Sequence, residues 1–218
     1  MVTAKQERLS EIVGVALELA EKGGLAVVSL RAIAAEVGLT PMALYGYVRS
    51  KDDLLDRLVG RLLSEVAAPD PGLSWRERLL ACARAARGVA HRYPRTFPLL
   101  LTRPAVLPDA VRVVDPLYAA LLDAGVPEEG VPGLERMFST FVLGFAASEV
   151  GGRFGVGGLG PRERRAAVDP ADVPAHHRLG GVLDRPVDWD AEFEEGLARL
   201  LGVVERAAAD GGAVERGA

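Results

Sequence analysis

Apolar residues recur every three or four positions along almost the whole chain, and this repeat limits the fold more than any other feature. The first such stretch ends at Gly23 and Gly24, and its apolar residues are Leu9, Ile12, Val13, Ala16, Leu17 and Ala20. Later stretches with the same spacing cover residues 75–91, 109–124, 131–151 and 189–209. No segment shows the convincing alternation of apolar and polar residues that marks a half-buried strand. The sequence therefore predicts an all-α fold.

Size and composition narrow the class of protein. A chain of 218 residues, 49% of them hydrophobic, can form a small domain joined to a larger one. No apolar run approaches the roughly 18 residues that a membrane span needs, and the charged N-terminus does not resemble a secretory signal. The single cysteine, Cys82, excludes an internal disulfide framework. These features predict a soluble cytoplasmic protein with no membrane partner.

Three hydroxyl residues mark where helices begin in the first third of the chain. Ser29 can accept a hydrogen bond from a free amide of a second helix, and Thr40 can do the same for a third. Pro41 then suits the first turn of that third helix, where no amide partner is lost. Ser50 precedes an acidic first turn and predicts a fourth, longer helix that reaches Pro69.

The second and third helices have the composition of a helix-turn-helix. Ala34 is small enough for two helix axes to cross at it, and Gly38 permits the positive φ that the turn needs. Leu39 and Leu44 are predicted to return to the small core. The outward side of the third helix then consists mainly of small residues and tyrosines, which can approach a DNA major groove closely.

The charges of this region predict local rather than general binding of nucleic acid. The net charge of the chain is −4, and the first 66 residues contain eight Lys and Arg against nine Asp and Glu. Between residues 29 and 51, however, Arg31, Arg49 and Lys51 face Glu36 alone. Lys51 also stands beside the free amides of a helix start, which favour phosphate. We expect few phosphate contacts, weak nonspecific binding and a shallow salt dependence.

Residues from Ile12 to about Leu63 resemble the DNA-binding domain of the TetR family of repressors. The matching stretch is SLRAIAAEVGLTPMALYGYVRSKDDLLDRL, although Gly46 departs from the bulkier residue that the family often has there. The resemblance implies that the third helix reads bases, that Arg31 reaches a base or phosphate, and that Tyr45, Tyr47 and Lys51 contact the DNA backbone. The predicted DNA-binding residues are Arg31, Thr40, Pro41, Met42, Ala43, Tyr45, Gly46, Tyr47 and Lys51.

The rest of the chain has the length and helical content of a TetR-type regulatory domain. The resemblance implies a DNA-binding domain at residues 1–66, a regulatory ligand-binding and dimerisation domain at residues 67–218, and a four-helix bundle between two subunits. A dimer would place two recognition helices about 34 to 36 Å apart, in successive major grooves. The two apolar helix stripes that can supply this bundle are Leu134, Phe138, Phe141, Val142 and Phe145, and Phe193, Leu197, Leu200, Leu201 and Val204. The interface residues predicted from them are Phe145, Leu197, Leu201 and Val204, with ordinary core packing as the alternative for each.

A small-molecule pocket is predicted in the regulatory region. Its candidate residues are Trp75, Tyr93, Phe97, Tyr118, Phe138 and Phe141, with His91 and Arg103 as polar anchors; core packing is the alternative for each aromatic ring. His91 could bind an anion, help to hold a metal-chelated ligand or cap a helix. The glycine- and proline-rich residues 151–186 are predicted to be a long loop with one short helix at 162–168. His176 and His177 fall in this loop, but they lack helical spacing and a third ligand, so no metal or cofactor is predicted.

No motif for enzymatic catalysis accompanies these features. The chain lacks a glycine-rich phosphate loop, a nucleophile elbow and a zinc-protease motif, so no enzyme is predicted. The function predicted is a homodimeric transcriptional repressor that binds double-stranded operator DNA and is released by an unknown small-molecule effector. The helix over residues 52–66 would connect the two activities. The alternative is a helical adaptor or ligand-binding protein with a non-functional DNA module.

Overall fold

The structure is a computed structural model that describes residues 3–104, 108–153 and 160–215. Within these ranges the chain forms twelve helices and no strand, which confirms the all-α prediction. The helices are α1 (Ala4–Gly23), α2 (Leu30–Glu36), α3 (Pro41–Leu44), α4 (Lys51–Ser64), α5 (Trp75–Arg92), α6 (Leu99–Thr102), α7 (Pro108–Asp123), α8 (Val131–Val150), α9 (Pro161–Ala166), α10 (Pro174–Arg178), α11 (Gly180–Leu183) and α12 (Trp189–Glu215).

The three predicted hydroxyl caps are present at the starts of α2, α3 and α4. The side-chain oxygens of Ser29, Thr40 and Ser50 accept hydrogen bonds from the third residue of each helix, at 3.1, 3.2 and 3.1 Å. Each bond satisfies an amide that has no partner inside the helix. The short helices α2 and α3 therefore begin where local chemistry places them.

Gly38 forms the turn between α2 and α3. Its φ is +66°, a conformation in which an L side chain is strained. The next amide, that of Leu39, donates to the Ala34 carbonyl over 2.8 Å and closes the C-terminus of α2. Ala34 itself is buried, and Leu44 returns to the core from α3. The predicted helix-turn-helix is thus confirmed in its turn and in its buried residues.

Substitution of Gly38 by alanine is expected to destabilise the protein by about 1–2 kcal/mol, because the left-handed conformation brings Cβ close to the following carbonyl oxygen. Space is not the cause, since an added Cβ would meet no atom within 4 Å. Gly14, in the middle of α1, also has an open Cβ position, but its φ is not positive. Gly14→Ala is the matched control, and it should stabilise α1 by about 0.5–1 kcal/mol. Denaturant unfolding measures the change in the free energy of unfolding for both variants. Changes of the same sign in the two variants would contradict this account.

Buried apolar residues form two cores that meet beside the end of α4. The first core joins α1–α4 to residues of the larger part of the chain, notably Phe97, Ala146 and Ala147. The second core lies among α5, α7, α8 and α12. Val66 packs against both cores. The N-terminal helices are therefore packed onto the rest of the chain and do not hang from a free linker.

Polar contacts reinforce this packing between α1–α4 and the rest of the chain. The Glu21 carboxylate accepts hydrogen bonds from the backbone amide of Thr96 at 2.8 Å and from its hydroxyl at 2.5 Å. At another point, the Arg103 guanidinium pairs with Asp56 at 2.9 Å and with Asp52 at 3.2 Å, both on α4. These contacts fix α1 and α4 against the segment that contains α6.

Several element predictions need correction. The helix predicted to reach Pro69 ends at Ser64, where the amides of Glu65 and Val66 bond to carbonyls three residues back and tighten the last turn. The last helix extends beyond residue 209 to Glu215. The segment 151–186 contains three short helices, α9 to α11, where one was predicted, and His176 and His177 lie on α10 and not in a loop. Part of this segment, residues 154–159, lies outside the described residues. Among the helices of the described ranges, none is long and apolar enough to cross a membrane.

Candidate nucleic-acid interface and ligand cavity

Helix α3 presents an uncovered surface of small and apolar side chains. Met42 is 83% exposed and Tyr45 is 53% exposed, an unusual degree for side chains of their size. Thr40, Pro41, Ala43 and Gly46 are exposed as well, whereas Leu44 is fully buried. The structure therefore places one anchoring residue of α3 in the core and leaves the predicted base-reading residues free to meet a partner.

The remaining predicted DNA contacts surround this surface. Arg31 and Lys51 are exposed, and neither forms an ion pair with another residue of the described ranges. Tyr47 is only half-buried and packs against the first core, so its ring has a structural role in addition to any contact by its hydroxyl. The positive charges of Arg31 and Lys51 are thus available to phosphate groups.

The acidic residues beside Lys51 have internal partners. Asp53 accepts a cap-like hydrogen bond from the Arg49 amide at 2.8 Å and pairs with Arg57 at 3.2 Å. Asp52 pairs with Arg103. Partial neutralisation of both carboxylates reduces the repulsion that a DNA phosphate would meet at the start of α4. The four-residue spacing of Asp53 and Arg57 is the sequence signal for the first of these pairs.

An apolar cavity of about 190 Å³ lies among α4, α5, α7 and α8. Its walls include Val59 and Leu63 from α4, Cys82 from α5, Val113 from α7 and Phe138 from α8. The only charged residue among the described lining residues is Glu135, whose side chain is joined to Ser139 by a hydrogen bond of 2.5 Å. The sequence prediction missed Glu135 and Ser139, although their four-residue spacing on the mostly apolar α8 was a usable signal.

Of the predicted pocket residues, Phe138 lines this cavity and the others lie elsewhere. Phe97 is fully buried in the first core, and Tyr118 packs against the second core. Phe141 stacks on Phe193 with ring centroids 6.0 Å apart. Trp75 and Tyr93 are also core contacts, and Arg103 holds α4. The sequence could name these residues as candidates for a pocket or the core, but it could not tell a packed wall from an open one.

His91 belongs to a separate polar cluster that joins α5, α8 and α12. It lies in the last turn of α5, and its Nε2 is 3.2 Å from the Glu149 carboxylate. Arg87 binds the same carboxylate through bonds of 2.8 and 2.5 Å and also binds Asp190 at 2.6 Å. The hydrogen bonds from Arg87 lower the pKa of Glu149 from its ordinary value. The cluster is an ion-pair network between helices, and His91 pairs with it instead of anchoring a ligand in the apolar cavity.

The predicted dimer residues are already occupied within one chain. Leu197, Leu201 and Val204 are at most 3% exposed, since they pack into the second core. Phe145 is half-buried, and its ring centroid is 5.1 Å from that of Phe193. The apolar stripe of α12 therefore corresponds to the alternative, ordinary core packing, and a partner chain would have to contact other faces of α8 and α12.

Cys82 is a buried thiol whose surroundings suppress its ionisation. Burial raises its pKa from 9.0 to about 11. Because only the thiolate is nucleophilic, we expect alkylation of the folded protein by iodoacetamide to be about 100-fold slower than that of the urea-unfolded chain near pH 8, and to accelerate about tenfold per pH unit until pH 11. Mass spectrometry follows the single cysteine directly. Equal rates in the folded and unfolded chains would contradict this assignment.

Comparisons with known proteins agree with this architecture. Residues 12–58 match the sequence profile of bacterial regulatory proteins of the tetR family, and residues 68–207 match that of the tetracyclin repressor-like C-terminal domain. An HTH-type transcriptional regulator of Saccharopolyspora erythraea is 30% identical over 194 residues, which cover 88% of this chain and 81% of that protein. An HTH-type transcriptional repressor of Mycobacterium tuberculosis is 29% identical over 208 residues, with coverages of 88% and 77%.

A solved structure with the same fold is that of the TetR family protein ActR of Streptomyces coelicolor in complex with actinorhodin. It superposes with a TM-score of 0.79 at 24% sequence identity, and the match covers 92% of this chain and 97% of that one. At this identity the likeness shows the fold, which is an N-terminal helix-turn-helix followed by a larger helical domain.

Proposed function

This chain belongs to the TetR family of bacterial transcriptional regulators, and from that membership we propose that it is a homodimeric repressor released from its operator by a small-molecule effector. Binding of DNA and regulation of transcription are the activities of the family. Repression is supported by the relative from Mycobacterium tuberculosis, which is named a repressor. Release by an effector is supported by the complex of ActR with actinorhodin and by the cavity of this chain.

The observation that carries the proposal is that α4 takes part in both sites. Its first residue, Lys51, lies beside the exposed surface of α3, whereas Val59 and Leu63, further along the same helix, form a wall of the cavity. A ligand that fits the cavity better after α4 has moved would shift the population toward that arrangement. The recognition helices of the two subunits would then no longer match the spacing of the operator.

The proposed DNA-binding unit comprises residues 1–66. Its proposed contact residues are Arg31, Thr40, Pro41, Met42, Ala43, Tyr45, Gly46, Tyr47 and Lys51. The proposed regulatory and dimerisation unit comprises residues 67–218. Because the core stripe of α12 is filled, we place the subunit contact on outward faces of α8 and α12, where Met137 is 38% exposed. Light scattering at micromolar concentration should give the mass of a dimer, and a monomer mass would refute this part of the proposal.

A gel-shift assay with the promoter next to the gene for this protein tests the DNA-binding part. The wild-type chain should shift this promoter in preference to unrelated DNA and protect two half-sites about one helical turn apart. The double substitution of Tyr47 by phenylalanine and Lys51 by alanine removes two proposed phosphate contacts and keeps the packed ring. It should weaken the shift. An adaptor with a non-functional DNA module would give no sequence-specific shift with either protein.

A further inference from the structure

Glu135 is a buried acid on the wall of the apolar cavity. It is 7% exposed, and the hydroxyl of Ser139, one turn later on α8, donates to its Oε1 at 2.5 Å. Within residues 3–104, 108–153 and 160–215, no Lys, Arg or His forms an ion pair with it. Apart from these two side chains and the Cys82 thiol, the described lining consists of hydrocarbon. The described lining therefore contains one acidic side chain and no basic one.

A carboxylate in such a wall has unused capacity for binding. An ionised carboxylate can accept about four hydrogen bonds, and one hydroxyl supplies only one of them. Removal of the charge from water is costly unless a positive or hydrogen-bonding partner compensates for it. In the unliganded chain, the described residues give this carboxylate one hydroxyl donor and no positive charge. A ligand that carries the missing positive charge into the cavity would supply it.

We propose that the cavity binds a compact apolar molecule bearing a protonated amine, with the ammonium group paired to Glu135 and the hydrocarbon part in contact with Val113, Phe138 and Val142. This assignment of ligand chemistry rests on the proposed function only in taking the cavity as the effector site. The preference for a positive charge depends only on the cavity and Glu135, so it can be measured on the protein without DNA.

The size of the cavity limits the apolar part of the ligand. An apolar cavity of about 150 Å³ can hold a benzene molecule, and this one is about 190 Å³. A single aromatic ring therefore fits, and the roughly 40 Å³ that remain (190 minus 150) admit the first carbon atoms of an alkyl chain. The length of the chain is set by the need to reach the Glu135 carboxylate from the apolar end.

Electrostatics disfavours a negatively charged ligand in this cavity. A carboxylate or phosphate placed beside Glu135 would meet like-charge repulsion in a weakly polar medium. No basic side chain lines the described part of the cavity to offset it. The nearby Arg78 on α5 is paired with Asp123 on α7. Neutral molecules meet neither penalty nor gain, so ligand charge should decide affinity.

Three matched probes test the proposal on the full-length protein without DNA. They are 4-phenylbutylamine, 4-phenylbutanol and 4-phenylbutyrate, which share a ring and a chain and differ in charge. Calorimetry should give a dissociation constant of about 1 mM or tighter for the amine. The alcohol should bind about tenfold more weakly, and the butyrate more weakly still. The thiol of Cys82 lines the wall of the cavity. If the amine slows the alkylation of Cys82 by iodoacetamide, the amine therefore binds in the cavity.

Two substitutions assign the preference to the carboxylate. In Glu135→Gln, which keeps the shape of the side chain, the amine should lose about tenfold in affinity while the alcohol changes by less than about twofold. Ser139→Ala is the matched control, because it removes the neighbouring hydroxyl and keeps the charge, and it should retain the preference for the amine. Thermal melting of both variants checks that they are folded. If either variant is unfolded, the relative affinities of the wild-type protein for the three probes decide whether the proposal holds.

Equal binding of the amine and the alcohol, preference for the butyrate, or no binding of the amine at about 5 mM would overturn the proposal. So would a preference for the amine that persists in Glu135→Gln. Failure of the proposed function gives a different result. In that case the amine binds selectively but leaves the protein–operator complex intact in the gel-shift assay. Release of the operator by an unrelated ligand, with no charge preference in the cavity, would refute only the ligand assignment.

Discussion

Replacement of Ala43 by glutamate should lower the affinity for the operator at least about 100-fold, while the protein remains folded. Ala43 is exposed in the middle of α3, among the residues that we propose to enter the major groove. Like-charge contacts across an interface cost several kcal/mol, and each 1.4 kcal/mol corresponds to a factor of ten in affinity. A longer, negatively charged side chain would also prevent the close approach that the small residues of α3 permit.

The control for this substitution is the same exchange at another exposed alanine. Ala171 lies between α9 and α10, outside the proposed DNA-binding unit. Ala171→Glu adds the same charge to the chain and should leave affinity within about twofold of wild type, because a distant exposed charge is screened by salt. Fluorescence anisotropy with labelled promoter DNA measures both variants. Binding by Ala43→Glu at wild-type strength would show that α3 does not approach the DNA.

The N-terminal helices were predictable from the sequence because their signals are local. Ser29, Thr40 and Ser50 act on amides three residues away, and the positive φ of Gly38 is required by the turn in which it lies. The exposed positions of α3 then follow from a single buried residue, Leu44. Local hydrogen bonds and helical spacing were therefore sufficient for the fold and for the placement of this surface.

The cavity was not predictable in the same way, because it depends on contacts between residues far apart in the chain. The sequence offered Phe97, Phe138 and Phe141 equally as candidates for the pocket. Only the packing of α4, α5, α7 and α8 decides that Phe138 borders open space while Phe97 is enclosed. The stripe of α12 was ambiguous for the same reason, since an apolar face can serve the core of one chain or a contact between two.

The two cores give a physical reason to expect communication between the cavity and the DNA surface. Leu63 packs against the first core and also lines the cavity, and Val66 contacts both cores as well as the cavity. A close-packed interior transmits a displacement of its wall, because it contains little empty space to absorb it. A change in the volume of the cavity should therefore move the end of α4 relative to the first core.

Replacement of Phe97 by alanine should be the most destabilising of the substitutions considered. The side chain is fully buried in the first core, although it belongs to the segment between α5 and α6. Truncation of a buried phenylalanine costs about 3–5 kcal/mol, through lost apolar burial and the cavity that remains. For a chain of this size, 1 kcal/mol corresponds to about 2–4 °C in Tm, so we expect Tm to fall by roughly 10 °C.

Leu101→Ala is the matched control, since this leucine lies four residues later on α6 and is 48% exposed. Its truncation should change stability by less than about 1 kcal/mol. Circular dichroism on heating measures both variants. Phe97 and residues of α1–α4 share one core. Loss of the phenylalanine ring should therefore lower the Tm of the N-terminal helices together with that of the rest of the chain. A variant that melts within about 2 °C of wild type, or that loses only the larger helical part, would show that the first core does not hold the two parts together.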